Sequence, residues 1–230
     1  MSQDGIGDTG WTDNANWDHS ARLRDLYRRR CRKQAEEMTC AAQAADLLAP
    51  LVEKGDTVLD AGCGGGSFFH SLMDRNIPAT YIGIDASPRL TAIGKEELPA
   101  FGLPAENLRT LRIEDLSGAA EHVVCLNVLT HLDNYPRPLE RLLKVARKTL
   151  ILRESLKEGA EYLYVRDEYL DPGHDIKVHI NTYDIAALTA FITSYGWRVR
   201  RVEDRRTGGT PETVIGYPHY WTFLVAERDA

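Results

Sequence analysis

The fold is decided by Val58-Leu59-Asp60-Ala61-Gly62-Cys63-Gly64-Gly65-Gly66-Ser67, which predicts a buried strand that ends in a glycine-rich turn and opens a helix. Glycines let the backbone approach a ligand closely. Free amides at a helix N-terminus favour a negatively charged group such as a carboxylate or a phosphate. The stretch therefore predicts a ligand site at the end of its strand.

Short β-rich runs alternate with helical stretches around this turn. The predicted strands are Thr57–Asp60, Thr80–Asp85, Thr110–Ile113, Val123–Leu129 and Thr149–Leu152. The predicted helices between them are Ser67–Arg75, Pro88–Leu98 and Pro138–Arg147. Such alternation indicates an α/β fold in which helices cover both faces of a mostly parallel sheet.

The C-terminal third follows a different pattern. A predicted helix, Thr182–Tyr195, ends at Gly196 and is followed by two strands, Trp197–Val202 and Tyr220–Ala226. No helix separates these two strands, so they are most simply antiparallel. We therefore expect a mostly parallel seven-stranded sheet with an antiparallel last strand.

The chain length of 230 residues suits one domain. Residues 1–16 are polar and rich in Gly and Asp, and they predict a flexible tail. Residues 17–50 carry apolar side chains at helical spacing, which predicts an N-terminal helical cap of one long or two shorter helices. The main domain is then expected to span residues 17–230.

The glycine pattern separates two classes of ligand. A dinucleotide fingerprint requires G-x-G-x-x-G, but the third glycine here comes early, at Gly66. Asp60 followed by G-x-G-x-G instead resembles motif I of the class I S-adenosylmethionine (SAM)-dependent methyltransferases. Tyr81-Ile82-Gly83-Ile84-Asp85 is similar to motif II of that family, where an acid at the strand end accepts hydrogen bonds from ribose hydroxyls.

The resemblance implies SAM as the cofactor and assigns a role to each matching position. Asp60, Gly62 and Gly64 would surround the methionine part and Asp85 the ribose, while Glu114 or Asp115 would reach the adenine. The choice between the last two stays open. The residues expected to bind the cofactor are Asp60, Gly62, Cys63, Gly64, Asp85, Ala86, Glu114, Asp115 and Asn127.

The acceptor of the methyl group should lie beyond the carboxyl ends of the parallel strands. Residues 155–181 are longer than a minimal connection and predict a substrate-side insertion. The candidate catalytic residues are His131, Glu154, His179 and Tyr183. Each has a structural alternative as well: His131 could cap the next helix, and Glu154 could pair with Arg153 or a neighbouring Lys.

The segment after the fourth strand helps to choose the acceptor class. Family members that methylate adenine or glutamine amides carry an Asn/Asp-Pro-Pro-Tyr-like segment there, whereas this chain has Asn127-Val128-Leu129-Thr130-His131-Leu132. The latter looks more like the small-molecule branch, an analogy that raises the expectation without proving it. We therefore expect transfer to an oxygen or nitrogen of a small metabolite. Methylation of protein or RNA is the alternative, followed by SAM binding without catalysis.

Composition bears on partners and location. The formal net charge of −6 disfavours a general nucleic-acid binder, but the arginines concentrate in residues 22–33 and 198–206. Such runs are usually solvated faces, and an anionic acceptor is the alternative. The cysteines show no CxxC pair, no metal-binding pattern is evident, and neither a signal peptide nor a membrane span is predicted. We expect a cytoplasmic protein, with a homodimer allowed.

Overall fold

A computed structural model of the chain describes residues 19–166 and 177–228. The predicted tail, residues 1–16, lies outside the described residues, as does part of the predicted insertion. Within the described residues, no helix combines the length and apolar character needed to cross a bilayer.

The helices and strands follow the expected alternation. The first part of the chain contains α1 (Ala21–Cys31), α2 (Thr39–Leu48), β1 (Thr57–Ala61), α3 (Phe68–Asp74), β2 (Thr80–Asp85), α4 (Pro88–Glu97), β3 (Leu108–Thr110), β4 (Ala120–Leu126), α5 (Pro136–Val145) and β5 (Ala146–Lys157). The second part contains β6 (Tyr164–Arg166), β7 (Lys177–His179), β8 (Tyr183–Asp184), α6 (Ile185–Ser194), β9 (Trp197–Glu203), β10 (Glu212–Val214), β11 (Tyr217–His219) and β12 (Trp221–Arg228).

The central sheet has the strand order β3-β2-β1-β4-β5-β12-β9. Strands β3, β2, β1, β4 and β5 pair in parallel, whereas β12 is antiparallel to both of its neighbours. This arrangement confirms the predicted α/β sheet with an antiparallel last strand. Two-residue β8 also pairs with the far end of β5, which makes an eighth strand that the sequence did not predict.

Two apolar clusters lie on opposite faces of the sheet. In β4, Val123 and Cys125 belong to the cluster that packs against α5 and α6, whereas Val124 belongs to the cluster beneath α1 to α4. Successive side chains of a strand point to opposite faces, so this alternation is what a sheet covered on both sides requires.

Two predicted strands end earlier than expected. The strand predicted over Thr110–Ile113 lies at Leu108–Thr110, because its pairing with β2 stops at Thr110 and a 3₁₀ turn follows. The strand predicted over Val123–Leu129 ends at Leu126. There Asn127 takes a left-handed φ of 59°, and the chain turns away.

The N-terminal cap consists of two helices rather than one. Ser20 caps α1, because its hydroxyl accepts a hydrogen bond from the Leu23 amide. Arg28 of α1 and Arg32, directly after this helix, both pair with Glu97 of α4. These contacts fix α1 across the start of the sheet, close to the glycine-rich turn.

Candidate cofactor and acceptor site

The glycine-rich turn leaves β1 at the carboxyl edge of the sheet. Its geometry is set by left-handed backbone at Gly62, Gly64 and Gly66, with φ values of 79°, 57° and 83°. The amides of Gly62 and Cys63 donate to the carbonyl of Ile84 at 2.8 and 2.9 Å, which ties the turn to β2. Backbone hydrogen bonds therefore hold the turn in a left-handed conformation that glycine adopts without strain.

Two carboxylates meet this turn. Asp85, at the end of β2, accepts hydrogen bonds from the amides of Gly64 and Ser87, each at 2.8 Å. Asp60 lies in β1 and accepts from the Tyr81 hydroxyl at 2.7 Å. Burial raises the pKa of Asp60 to about 7, and the hydrogen bond from Tyr81 opposes this rise. The two acids thus differ: Asp85 is half-buried and Asp60 is buried.

Side chains press closely on the two outer glycines of G-x-G. A Cβ atom at Gly64 would lie 2.4 Å from Cε1 of Tyr27, on α1. A Cβ at Gly62 would lie 2.3 Å from Cγ2 of Val128, in the segment after β4. Gly62 and Gly64 therefore let Val128 and Tyr27 pack against the turn, and the neighbouring Asp85 carboxylate fits the ribose hydroxyls of the SAM that the resemblance implies.

The remaining predicted cofactor residues lie around the same edge. The Cys63 side chain is buried, burial raises the pKa of its thiol, and the thiol donates to the carbonyl of Gly64 within the turn at 3.6 Å. Ala86 is exposed directly after Asp85. Glu114 and Asp115 share a 3₁₀ turn; Glu114 pairs with Arg112 at 3.4 Å, whereas Asp115 is exposed. The geometry does not favour either acid for the adenine.

Asn127 is held by a buried arginine, Arg153, which the sequence analysis did not single out as a site residue. Arg153 donates through Nη1 to Oδ1 of Asn127 and through Nε to Asp204 at 2.6 Å. Its guanidinium lies over the Trp221 ring, 4.3 Å from the centroid. Although burial acts to raise the pKa of Asp204, Arg153 holds that pKa below its usual value. The sequence signal was a charge inside the apolar run of β5.

Glu154 is enclosed by hydrogen-bond donors. Its carboxylate accepts from the amides of Val128, Leu129 and Thr130 at 2.9 to 3.1 Å and from the Thr130 hydroxyl at 2.9 Å. The side chain is fully buried, and burial raises the pKa of Glu154 to about 7 against those hydrogen bonds. This carboxylate therefore shapes the 128–130 turn, and Val128 of that turn contacts Gly62.

The other predicted catalytic residues gather around this turn. The Tyr183 hydroxyl donates to the carbonyl of Leu129 at 2.5 Å, and burial raises its pKa. Nδ1 of His131 bonds to the carbonyl of His179 at 3.0 Å. Burial lowers the pKa of His131 to about 4 and also lowers that of His179. The structure thus brings His131, Glu154, His179 and Tyr183 together around the segment after β4, whose Val128 packs against Gly62.

A third histidine completes the cluster. His219 lies at the end of β11, and its ring stacks on Trp221 with centroids 4.7 Å apart. The His131 ring is 6.2 Å away. On the outer side, His179 stacks on Tyr164 at 4.4 Å. Sequence reasoning placed His219 only at the end of a long loop, because nothing local shows that β12 returns it to β5.

The arginine-rich segments are paired with acids. Arg28 contacts Glu96 and Glu97, and Arg32 contacts Glu97. In the second segment, Arg205 pairs with Asp46, Arg206 with Glu212 and Arg200 with Glu227. These arginines therefore stabilise contacts between elements of the fold itself.

Comparison with known proteins gives a consistent result. A family model described as a methyltransferase domain matches residues 28–202. A ubiquinone biosynthesis O-methyltransferase from Methylobacterium sp. (strain 4-46) is 29% identical over 121 residues, which cover 50% of this chain and 47% of that protein. The chloroplastic magnesium protoporphyrin IX methyltransferase of Arabidopsis thaliana is 28% identical over 156 residues, covering 64% and 48%. The chain spans about half the length of these relatives.

Solved structures agree on the fold. Magnesium protoporphyrin IX methyltransferase from Synechocystis PCC 6803 with bound SAH superposes with a TM-score of 0.60 at 20% identity, covering 89% of this chain and 94% of that one. An S-adenosylmethionine-dependent methyltransferase from Clostridium acetobutylicum ATCC 824 gives a TM-score of 0.62 at 12% identity, covering 91% and 98%. At identities this low, the superpositions show a common fold and nothing further.

Proposed function

The chain belongs to the methyltransferase-domain family, and we propose that it transfers the methyl group of SAM to an oxygen or nitrogen of a small molecule. Membership confirms the resemblance to class I SAM-dependent methyltransferases seen in motif I. Two of the relatives named above methylate small molecules according to their names, and one is named an O-methyltransferase, which supports an oxygen acceptor.

One observation carries the proposal: two sites meet at one edge of the sheet. The glycine-rich turn and Asp85 form the first, and the cluster of His131, His179 and Glu154 forms the second. Val128 joins them, because it packs against Gly62 while its amide donates to Glu154. A donor and an acceptor of a methyl group require such adjacent sites.

We assign the cofactor to the first site. Asp85 would hold the ribose, Gly62 and Gly64 would let the backbone approach the methionine part, and Asp60 would lie beneath it. Cys63, Ala86 and Asn127 would line the same edge, with Glu114 or Asp115 near the adenine. When bound, SAM supplies a methyl carbon on a positively charged sulfur, which leaves as a neutral thioether.

We assign the acceptor to the second site. His131 and His179 would face the acceptor, whereas Glu154 and Tyr183 would position the 128–130 turn through their hydrogen bonds. The described part of the predicted insertion that follows β5, residues 158–166 and 177–181, would lie on the substrate side of the site. Alignment of the reacting atoms at such a site can contribute up to about 7 to 11 kcal/mol to catalysis.

The charge of the acceptor is left unspecified by this proposal. Several of the arginines that suggested an anionic acceptor, among them Arg32 and Arg205, are paired with acids such as Glu97 and Asp46. The same pairing weakens the case for RNA as the acceptor, because RNA binding needs basic side chains that are available to phosphates.

Transfer of label tests the reaction. The full chain is incubated with methyl-labelled SAM and a cell extract separated into small-molecule, protein and RNA fractions. We expect label in the small-molecule fraction. Label confined to protein or RNA would overturn the acceptor class, and no transfer together with tight SAM binding would identify a binding protein.

Calorimetry tests the cofactor assignment. Asp85→Asn keeps the shape of the side chain but removes its charge, so we expect SAM affinity to fall about 10- to 100-fold, the loss of 1.5 to 3 kcal/mol typical of charged hydrogen bonds. Asp74→Asn is the matched control, because exposed Asp74 pairs only with Lys33 among the described contacts. Equal affinity in the two variants would contradict the placement of the ribose.

A further inference from the structure

His219 is placed beside the reaction site by the last strand of the sheet. It lies two residues before Trp221, whose partner in β5 is Ser155, next to Glu154. The Tyr220 amide also donates to the Ser155 hydroxyl at 3.0 Å. His219 therefore lies at the carboxyl edge of the parallel strands, where Glu154 and His131 meet the glycine-rich turn.

One nitrogen of this ring has a fixed role. Nδ1 of His219 lies 3.0 Å from the carbonyl oxygen of Tyr217, and a carbonyl only accepts hydrogen bonds, so Nδ1 carries the proton. Nε2 of the neutral ring is then a bare lone pair. The ring is fully buried, and Nε2 has no hydrogen-bond partner among the described residues.

A buried nitrogen without a partner is costly, and it commonly marks a functional position. His122 has an unpartnered buried nitrogen too, but its ring pairs with Asp56 and its strand position faces the amino edge of the sheet. Of these two histidines, only His219 lies at the edge of the sheet where the acceptor would bind.

The charged surroundings of His219 suit a group that gains a proton during the reaction. Burial lowers the pKa of His219, Glu212 acts to raise it, and Arg153 acts to lower it. Glu212 is the cross-strand partner of His219 and also accepts a hydrogen bond from Trp221 Nε1 at 3.1 Å. His131 faces the ring from the 128–131 segment. The ring is therefore neutral at pH 7, and the Glu212 carboxylate beside it would stabilise a protonated ring.

We propose that Nε2 of His219 accepts the proton of a hydroxyl acceptor during methyl transfer; this inference rests on the proposed function. The acceptor oxygen bonds to the methyl carbon while the carbon–sulfur bond breaks and leaves its electron pair on sulfur. The hydroxyl proton passes to Nε2. The positive charge that leaves sulfur thus reappears on the imidazolium, next to Glu212.

The tautomer is tested without any turnover. In ¹⁵N-histidine-labelled protein at pH 7.5, with His219 assigned by comparison with His219→Gln, we expect a protonated Nδ1 and an unprotonated Nε2. The signal should titrate below the ordinary histidine pKa of about 6.5. A protonated Nε2 at pH 7.5 would overturn the proposal, and the measurement is made on the wild-type protein, so it needs no activity from the variant.

Turnover is measured with methyl-labelled SAM and the small-molecule fraction that takes up label. His219→Gln should lower the rate about 10²- to 10⁴-fold and remove its rise with pH, while SAM affinity measured by calorimetry changes less than about twofold. His122→Gln, the matched buried histidine, should lower the melting temperature and leave the pH dependence intact. An active His219→Gln enzyme with an unchanged pH profile would overturn the proposal.

The variant Glu212→Gln distinguishes between two roles of His219, that of a base and that of a packing residue. Since Glu212 raises the pKa of His219, removing its charge should move the midpoint of the pH–rate profile to lower pH. Glu227→Gln, on the exposed part of β12, should leave the midpoint in place. An unmoved midpoint in Glu212→Gln would contradict the role of His219. Absence of label from every small-molecule fraction would instead mean that the proposed function itself fails.

Discussion

The cofactor edge and the acceptor edge of this sheet are built in different ways. At the cofactor edge, the backbone of Gly64 reaches Asp85, 21 residues on, and both belong to the first β-α-β unit. At the acceptor edge, Arg153 pairs with Asp204, 51 residues away, and both are buried. Backbone conformation makes the first edge, whereas buried charges from distant segments make the second. Substitutions that separate these two kinds of support test the contrast.

The largest effect is expected at the buried ion pair. Arg153→Met leaves the Asp204 carboxylate buried without its partner, which should cost about 3 to 5 kcal/mol in the free energy of unfolding. Denaturant unfolding measures this cost. The effect should disrupt the acceptor edge first, since Arg153 also supports Asn127 and Trp221.

An exposed pair supplies the control. Asp46→Asn removes the charge that pairs with Arg205 and Arg75, whose side chains are 54% and 21% exposed, and should cost about 1 kcal/mol or less. In the double variant Arg153→Met/Asp204→Leu, stability should recover in part, because no charge remains buried. Equal losses in Arg153→Met and Asp46→Asn would end the distinction between buried and surface charges drawn here.

The next effect is expected at the glycine-rich turn. Gly64→Ala forces a side chain into left-handed backbone and against the Tyr27 ring, 2.4 Å from the new Cβ. The two costs together should reach about 2 to 4 kcal/mol of stability. SAM affinity should fall as well, because the turn would have to shift.

Gly102 separates the two costs. It has a similar left-handed backbone, with a φ of 94°, but no atom within 4 Å of an added Cβ, so Gly102→Ala should cost only about 1 to 2 kcal/mol. Adding Tyr27→Ala to Gly64→Ala should relieve the steric part. If Gly64→Ala behaved like Gly102→Ala, Tyr27 would not press on the turn.

The cofactor edge could be predicted from the sequence because its determinants are local. Glycine adopts left-handed backbone without strain, so the spacing of Gly62, Gly64 and Gly66 in the sequence is enough to predict the turn. Ser87 and Pro88 likewise predict the start of α4, where the Ser87 hydroxyl accepts from the Leu90 amide at 3.1 Å. The strand that carries Asp85 was predicted with both ends correct.

The acceptor edge was only partly predictable because its contacts are long-range. The early end of β4 depends on Glu154, which binds three amides 24 to 26 residues earlier in the chain. Periodicity in one strand carries no information on a carboxylate in the next. His219 was missed for the same reason, since only the pairing of β12 with β5 brings it to the site.

The smallest effect concerns pH, and it links the two edges. The pKa of Asp60, at the cofactor edge, and that of Glu154, at the acceptor edge, are both raised to about 7 by burial. An acid with a raised pKa keeps its proton in the folded state between its unfolded and folded pKa values, while the unfolded chain has lost it. The contribution of these two acids to the free energy of unfolding therefore falls as pH rises through this window. Between pH 5 and pH 7, Asp60 should account for a fall of about 2 kcal/mol in the free energy of unfolding in the absence of SAM, and Asp60→Asn should abolish that part.

Asp56 is the matched aspartate: although burial acts to raise its pKa, hydrogen bonds from the Glu53 amide, Lys148 and His122 lower it to about 2. The stability that Asp56 contributes is lost only as pH falls below its unfolded value, so Asp56→Asn should leave the slope between pH 5 and pH 7 unchanged. Urea unfolding of the wild type and both variants at pH 5, 6 and 7 measures the slopes. An Asp60→Asn variant with the same slope as the wild type would show that Asp60 is ionised when buried, because this comparison cancels the buried histidines, whose lowered pKa values raise stability over the same interval.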